Sequence, residues 1–205
     1  MNNIKLKTVE YYDREATSWS ASHGGDDKES WWKDEMIRFN EYLPSGRILE
    51  IGSGVGKDAE DLIKLGYDYI GIDASNGLLE LARKRNPSAT FIQRYAHEID
   101  PSLGEFDGFW AAAVLLHIPK NEIQDSLFRI SSVLKDGGIG FITMKEGEGE
   151  RVDEKTGRLF AYYNEDEFTN ILESTGFSIL ETGRRDTERD NWLIFYVRKE
   201  TQIEL

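Results

Sequence analysis

Cysteine is absent from the 205 residues, and the three histidines are scattered at positions 23, 97 and 117. That excludes a disulfide framework, a thiolate nucleophile and a cysteine zinc site, and it leaves the histidines without metal-ligand spacing. No metal is expected. No window approaches the roughly 18 consecutive apolar residues of a membrane-spanning helix, and the opening MNNIKLKTVE lacks the apolar core of a secretory signal. These absences fit a cytoplasmic protein that does not cross a membrane. Positive charge is also in short supply. With 25 Lys and Arg against 38 Asp and Glu the net charge is -13, a field that repels phosphate backbones and anionic lipid surfaces. Nucleic acid is therefore not an expected partner. The basic pair Arg184 and Arg185 is followed closely by Asp186, Glu188 and Asp190, which reads as a mixed-charge turn. Oligomeric state is not legible.

A chain of this length buries one good core, and its apolar residues are evenly spread, so a single domain over 1–205 is expected. Within it a helical cap covers 1–44, a core 45–145, and a substrate-side loop, a helix and a C-terminal hairpin 146–205. Strand-like runs alternate with amphipathic segments: GRILEIG, then KDAEDLIKLG; YDYIGID, then NGLLELARKR; ATFIQ; FDGFWAAAVL, then NEIQDSLFRISSVL; and GIGFITMK after the turn KDGG. Such alternation with short connections gives an α/β doubly wound, mostly parallel sheet. After the helix NEDEFTNILESTG, the runs FSILETGRRD and NWLIFYVRK lie too close together for a helical crossover and must pair as an antiparallel hairpin. The expectation is a seven-stranded sheet with one antiparallel strand at an edge. Ahead of the first strand, TVEYYDREATSWSASH and KESWWKDEMIRFNEYL read as two helices joined by the polar GGDDKE.

The stretch LEIGSGVGKD (49–58) carries the most chemistry. A triphosphate loop fails twice, because Ile51 stands where its first glycine belongs and Asp58 replaces the metal-binding hydroxyl. A dinucleotide fingerprint finds Gly52 and Gly54 but meets Lys57 where a small residue should let the helix pack closely. Glu50 and Asp58 would crowd a pyrophosphate at the positive helix end. A ligand that is positively charged at this point removes the conflict, and S-adenosylmethionine, with a sulfonium, an ammonium and no phosphate, is such a ligand. Asp73 lies 21 positions after Gly52, at the tip of the second strand. There a carboxylate accepts from both hydroxyls of a ribose, equally well for a nicotinamide dinucleotide. The competing role is a cap for the next helix, although Ser75 or Asn76 would also serve.

Together ILEIGSGVGKD, GIDAS, FDGFWAAAVLLHIP and LKDGGIGFITMK, in this order and spacing, resemble the class I S-adenosylmethionine-dependent methyltransferases. The segments YYDREATSW before the first strand and KEGEGE with GRLFAYY after the fifth are similar to those of a small bacterial single-domain branch. The likeness runs from about Tyr11 to Val197. It implies a Rossmann-like methyltransferase fold in which Gly52, Ser53 and Gly54 let backbone approach the methionine part of the cofactor, with Glu50 near its amino group. Asp73 would hold the ribose, Ala74 pack on the adenine, Ala96 and His97 flank the adenine edge, and Ala111 and Ala112 line the methionine arm. Tyr12 and Trp19 on the cap helix would close over the cofactor, or simply pack the helix onto the sheet. Trp31 and Trp32 cannot both face inward on one helix.

The segment KEGEGERVDEKTGRLFAYY follows the fifth strand at the end of the sheet where open α/β folds bind ligands. Lys145, Glu148, Arg158, Tyr162 and Tyr163 are its candidates for a substrate wall, the alternative being a charged surface loop. Methyl transfer by in-line displacement draws most of its acceleration from orientation. His117, just past the fourth strand, is the candidate catalytic base, or else a histidine that hydrogen-bonds backbone. The expectation is a methyltransferase acting on a small-molecule acceptor. The alternatives are an RNA or protein methyltransferase, a nicotinamide-dependent reductase, and a non-catalytic adenosine-binding protein.

Overall fold

The computed structural model describes residues 3–23 and 31–201. The expected polar linker GGDDKE lies outside them. Helix α1 (Asn3–Ser22) and α2 (Lys33–Tyr42) precede β1 (Arg47–Ile51), α3 (Lys57–Lys64), β2 (Asp68–Asp73), α4 (Asn76–Arg85), β3 (Thr90–Gln93) and β4 (Phe106–Ala111). Then come α5 (Ile123–Ser132), β5 (Leu134–Glu146), β6 (Glu150–Val152), β7 (Leu159–Tyr163), α6 (Glu165–Ser174), β8 (Phe177–Asp186) and β9 (Asn191–Lys199).

The central sheet runs β3-β2-β1-β4-β5, all parallel, and continues through β9 to β8. The doubly wound, mostly parallel fold is as expected, but the reversed strand is not at the edge. β9 is antiparallel to both β5 and β8 and sits between them, so β8 is outermost. The physical reason is burial: Trp192–Val197 are all buried, and a strand apolar on both faces belongs inside a sheet. A second difference follows β5. The expected substrate-side loop is a hairpin, β6 antiparallel to β7, which joins the end of β5 through Lys145↔Tyr162 and Glu146↔Tyr163.

Because β1 to β5 are parallel, every loop after them opens at one edge. The core beneath is continuous: Trp110 on β4 stacks on Phe141 of β5 at 3.8 Å, with Phe39 of α2 against its edge at 5.5 Å. Of the two adjacent tryptophans, Trp32 is in this core and Trp31 is half exposed. Trp32 precedes the first turn of α2, which therefore begins five residues later than the sequence pattern starts at Lys28.

Candidate active site

The site begins with the backbone of the loop after β1. Gly52, Gly54 and Gly56 all have positive φ (73°, 53° and 71°), a conformation that costs an L-residue roughly 1–2 kcal/mol. Close approach makes two of them harder still to replace. A Cβ on Gly52 would stand 2.3 Å from a methyl of Val114, and one on Gly56 would stand 2.7 Å from the Asn86 amide nitrogen. Gly56 thus supplies the close helix packing that the spacing rule assigns to position 57, one residue early. A Cβ on Gly54 would meet only the Gly52 carbonyl, at 3.9 Å, so this part of the loop faces open space.

Asp73 fixes that open segment. Its Oδ2 accepts the Gly54 N–H at 2.9 Å and its Oδ1 the Ser75 N–H at 2.8 Å. The cap of α4 is Ser75, whose Oγ accepts from the Leu78 N–H at 3.1 Å, so Asp73 is free of that duty. Burial nevertheless outweighs the two hydrogen bonds and pushes the Asp73 carboxyl up to about 6. Beneath the loop, Glu50 is buried with Tyr69 donating to its carboxyl. Burial holds that carboxyl well above the ordinary range, and Asp58 and Asp73 add to the effect. Trp110 Nε1 donates to Asp58 at 2.9 Å. Ser53 Oγ is buried with no hydrogen-bond partner among the described residues. A cradle of open backbone, an orphaned hydroxyl and a carboxyl short of positive charge fits a ligand with an ammonium group.

Helix α1 lies over this edge. Tyr12, Ala16 and Trp19 pack with Val55 and Leu78, and Asp13 accepts from Ser75 Oγ at 2.6 Å and the Gly77 N–H at 2.9 Å. On its other flank Thr8 accepts the Leu159 N–H at 3.0 Å. His117, in the short turn Leu115–His117 after β4, has both ring nitrogens occupied: Nδ1 lies 2.6 Å from the Leu159 carbonyl and Nε2 2.9 Å from the Tyr12 hydroxyl. A carbonyl only accepts, so Nδ1 carries the proton and Tyr12 donates to Nε2. Arg158 in turn donates to the Tyr12 oxygen at 3.1 Å. Burial pushes the imidazole down to about 4, which keeps it neutral.

Ala111 ends β4, and Ala113, two residues on, is the one non-glycine residue with positive φ (54°) among those described. Its N–H donates to the buried Thr143 hydroxyl of β5 at 2.8 Å, an anchor that turns the chain across Ala112 toward His117. Ala74 ends in a carbonyl that accepts from Gln93 at 3.1 Å, and Ala96 and His97 form a single helical turn just after β3. The structure thus brings Tyr12, Trp19, the glycine loop, Asp73, Ala74, Ala111, Ala112 and His117 to one edge, with Ala96 and His97 beside it.

The substrate-side candidates divide. Arg158 joins Tyr12 and His117. Lys145 pairs with Asp190 at 2.8 Å and lies over the Phe160 ring at 4.7 Å. Glu148 and Tyr162 instead line a groove of about 620 Å³ between the β6–β7 hairpin and the β8–β9 turn. Tyr163 points the other way, into the core against Phe168 at 5.0 Å, since neighbours on a strand face opposite sides. Sequence reasoning missed Asp13, Ala113 and Thr143. Asp13 lies within the quoted YYDREATSW, but nothing local marks the left-handed turn at Ala113. Arg185, read as part of a turn, lies on β8 over Trp31 and Trp32 and pairs with Glu35 at 2.6 Å.

An open, mostly parallel sheet with a glycine loop after β1 and an acid at the tip of β2 defines a nucleoside-binding α/β domain of the Rossmann-like class. Comparison with known proteins narrows that class. Residues 48–138 match the family described as "Methyltransferase domain". The chain is similar to an uncharacterized methyltransferase of Staphylococcus carnosus, 28% identical over 177 residues that cover 82% of this chain and 81% of the relative. In fold it is similar to the magnesium protoporphyrin IX methyltransferase of Synechocystis PCC 6803 solved with S-adenosylhomocysteine (TM-score 0.79, 19% identity, 97% of this chain and 100% of that one). It is likewise similar to the Burkholderia thailandensis 1,6-didemethyltoxoflavin-N1-methyltransferase solved with 1,6-didemethyltoxoflavin and S-adenosylhomocysteine (TM-score 0.76, 21% identity, 96% and 87%). Residues 48–138 thus form a methyltransferase domain, and the chain has the fold of the S-adenosylmethionine-dependent methyltransferases.

Proposed function

We propose that the glycine loop, Asp73 and the inner face of α1 hold S-adenosylmethionine, and that the methyl acceptor is a small molecule received between α1, the turn after β4 and the β6–β7 hairpin. The observation that carries this reading is the Asp73 carboxylate tied to the Gly54 N–H. It sets an acceptor at the tip of β2 beside backbone that no side chain covers, with lone pairs left for ribose hydroxyls. When bound, the cofactor supplies an electrophilic methyl group on a positively charged sulfur. Glu50 and Ser53 face the ammonium end; Ala74, Ala96 and His97 flank the base; Ala111 and Ala112 give the methionine arm an uncluttered wall; Tyr12 and Trp19 close over it. His117, with both nitrogens engaged, orients Tyr12 rather than taking a proton.

The small-molecule acceptor is supported by the 1,6-didemethyltoxoflavin bound to one solved neighbour and by the magnesium protoporphyrin IX in the name of the other. A net charge of -13 argues against a nucleic acid acceptor. We read residues 1–205 as one domain. Among the described residues no helix is long and apolar enough to cross a membrane, and a cysteine-free composition is compatible with the cytoplasm, where we place the protein. Thermal unfolding tests the reading: S-adenosylmethionine and S-adenosylhomocysteine should raise the Tm by mass action on the native state, while NAD and ATP should not. A larger rise with NAD refutes it.

A further inference from the structure

The cations at the acceptor end of the site are matched unequally. Lys120, Lys145 and Arg185, all partly buried, each have a carboxylate within reach: Glu167 at 2.8 Å, Asp190 at 2.8 Å and Glu35 at 2.6 Å. Arg158 is also partly buried, yet it forms no ion pair with any carboxylate among the described residues. Its partners are the Thr156 hydroxyl at 3.2 Å, the Tyr12 hydroxyl at 3.1 Å and the faces of Tyr11 at 4.6 Å and Phe160 at 5.1 Å. Asp153 reaches it only through the Thr156 hydroxyl, which accepts from Arg158 and donates to Asp153 at 2.8 Å, so a guanidinium held by aromatic rings next to the reacting end of the site, and in no contact ion pair among the described residues, is a receptor for an anion. A guanidinium presents two parallel donors to a carboxylate, and its stacking on flat rings fixes the fork in place.

The surrounding groups point the same way. His117 is the imidazole nearest this end, and its two nitrogens are committed to Leu159 and Tyr12. An acceptor that arrives as an ammonium or an alcohol must lose a proton to react. An acceptor that arrives as a carboxylate has none to lose and asks no base of the chain. Phe160 is buried, with the His117 ring 5.0 Å away and both Arg158 and Lys145 over it, so it backs the guanidinium, and the flat ring left partly open beside Arg158 is that of Tyr11 at 4.6 Å. From this placement, and resting on the cofactor site proposed above, we infer that the methyl acceptor is a carboxylate-bearing molecule with an aromatic or otherwise planar apolar body, and that Arg158 reads its negative charge.

Binding of simple probes tests this without knowledge of the natural acceptor. The full chain, saturated with S-adenosylhomocysteine, is titrated with phenylacetate, phenylacetamide and phenethylamine, which share a ring and differ in charge. The probes are followed by ligand-observed NMR in the wild type, Arg158→Gln and Arg158→Lys. Phenylacetate should bind wild type about tenfold or more tighter than either other probe, the worth of one charge-assisted hydrogen-bonded pair. Arg158→Gln should abolish the preference, and Arg158→Lys, which keeps the charge and loses the fork, should keep part of it. Equal binding of the three probes to wild type, no binding of phenylacetate, or an unchanged preference in Arg158→Gln overturns the inference. If a variant does not fold, the wild-type comparison alone decides. A calorimetric titration with S-adenosylhomocysteine separates the two levels: failure of wild type to bind it removes the cofactor reading, whereas normal binding without a carboxylate preference removes only the acceptor class.

Discussion

Replacing Asp73 by asparagine should make the ligand-free protein more stable at neutral pH. Burial lifts the carboxyl from its ordinary 3.8 to about 6 even though two backbone N–H groups donate to it, which corresponds to ~3 kcal/mol against the charged form at pH 7. The folded value lies above the unfolded one, so the contribution to stability is fully present below pH 3.8 and is lost as pH rises through about 6. Asparagine carries no charge to desolvate, but one of its two polar ends is a donor facing an N–H. The hydrogen bond so lost costs ~1–2 kcal/mol. The balance is a gain of ~1–2 kcal/mol near pH 7 that turns into a loss of ~1 kcal/mol near pH 4, where the carboxyl is neutral and only the lost hydrogen bond counts. Urea unfolding followed by tryptophan fluorescence at the two pH values measures both. The same variant should bind S-adenosylhomocysteine about tenfold or more weakly, since a ribose hydroxyl loses a charged acceptor. A loss of more than ~1 kcal/mol near neutrality would show that the carboxylate is chiefly an anchor for the glycine loop, and would refute the argument from burial.

Gly56→Ala should cost ~2–4 kcal/mol in the same unfolding experiment, from a left-handed backbone and a Cβ 2.7 Å from Asn86; a loss below ~1 kcal/mol would mean that α4 yields. His117 has its folded value pushed below its ordinary 6.5 to about 4, so its contribution is full above pH 6.5 and lost as pH falls through about 4. Its NMR ring resonances should therefore stay constant from about pH 8 to 5.5, and a titration near 6.5 would contradict the bonds to Leu159 and Tyr12. Tyr12→Phe removes the hydroxyl that joins Arg158 to His117 and should lower stability by ~1–2 kcal/mol, while a mobility assay with tRNA at physiological salt should show no shift for wild type.

The sequence carried the alternating strands and helices well because the apolar runs are set apart by turn residues; β9 begins and ends with its run, whereas β5 starts at Leu134 and takes in the expected turn KDGG, and β8 continues past Leu180 into the polar ETGRRD. Their order in the sheet was harder. Strand position is a tertiary property, yet one local sign was present: WLIFYV is apolar without alternation, as an interior strand is, whereas FSILETGRRD turns polar and alternates toward its end, as an edge strand does. The β6–β7 hairpin escaped notice because β6 is three exposed residues, Glu150–Val152, with no hydrophobic period to detect. In the site, the placement of Gly52, Gly54 and Asp73 was legible because it is local to one loop and one strand tip. Asp13, Thr143 and the Arg158–Tyr12–His117 chain were not, since each joins residues from elements far apart in sequence.

The interior position of β9 makes chain order and sheet order disagree. β8 precedes β9 in the chain but reaches the sheet only through it, so β8 must wait for a strand that is made after it. Until then the outer edge of β5, Ile139–Lys145, offers unpaired backbone beside apolar side chains, the kind of edge that recruits other chains. Polarity does little to set the register of the docking strand, because Trp192, Ile194 and Tyr196 on one face and Leu193, Phe195 and Val197 on the other are all apolar and buried. Register is left to the hairpin itself: to the turn in which the Thr187 N–H donates to the Asp190 carbonyl at 3.0 Å and the Asp190 N–H to the Thr187 hydroxyl at 3.0 Å, and to the bulge between Ile179 and Glu181. An exposed turn on the surface thereby governs whether six buried side chains arrive on the correct sides of the sheet, and errors there would appear as misfolding and aggregation during synthesis.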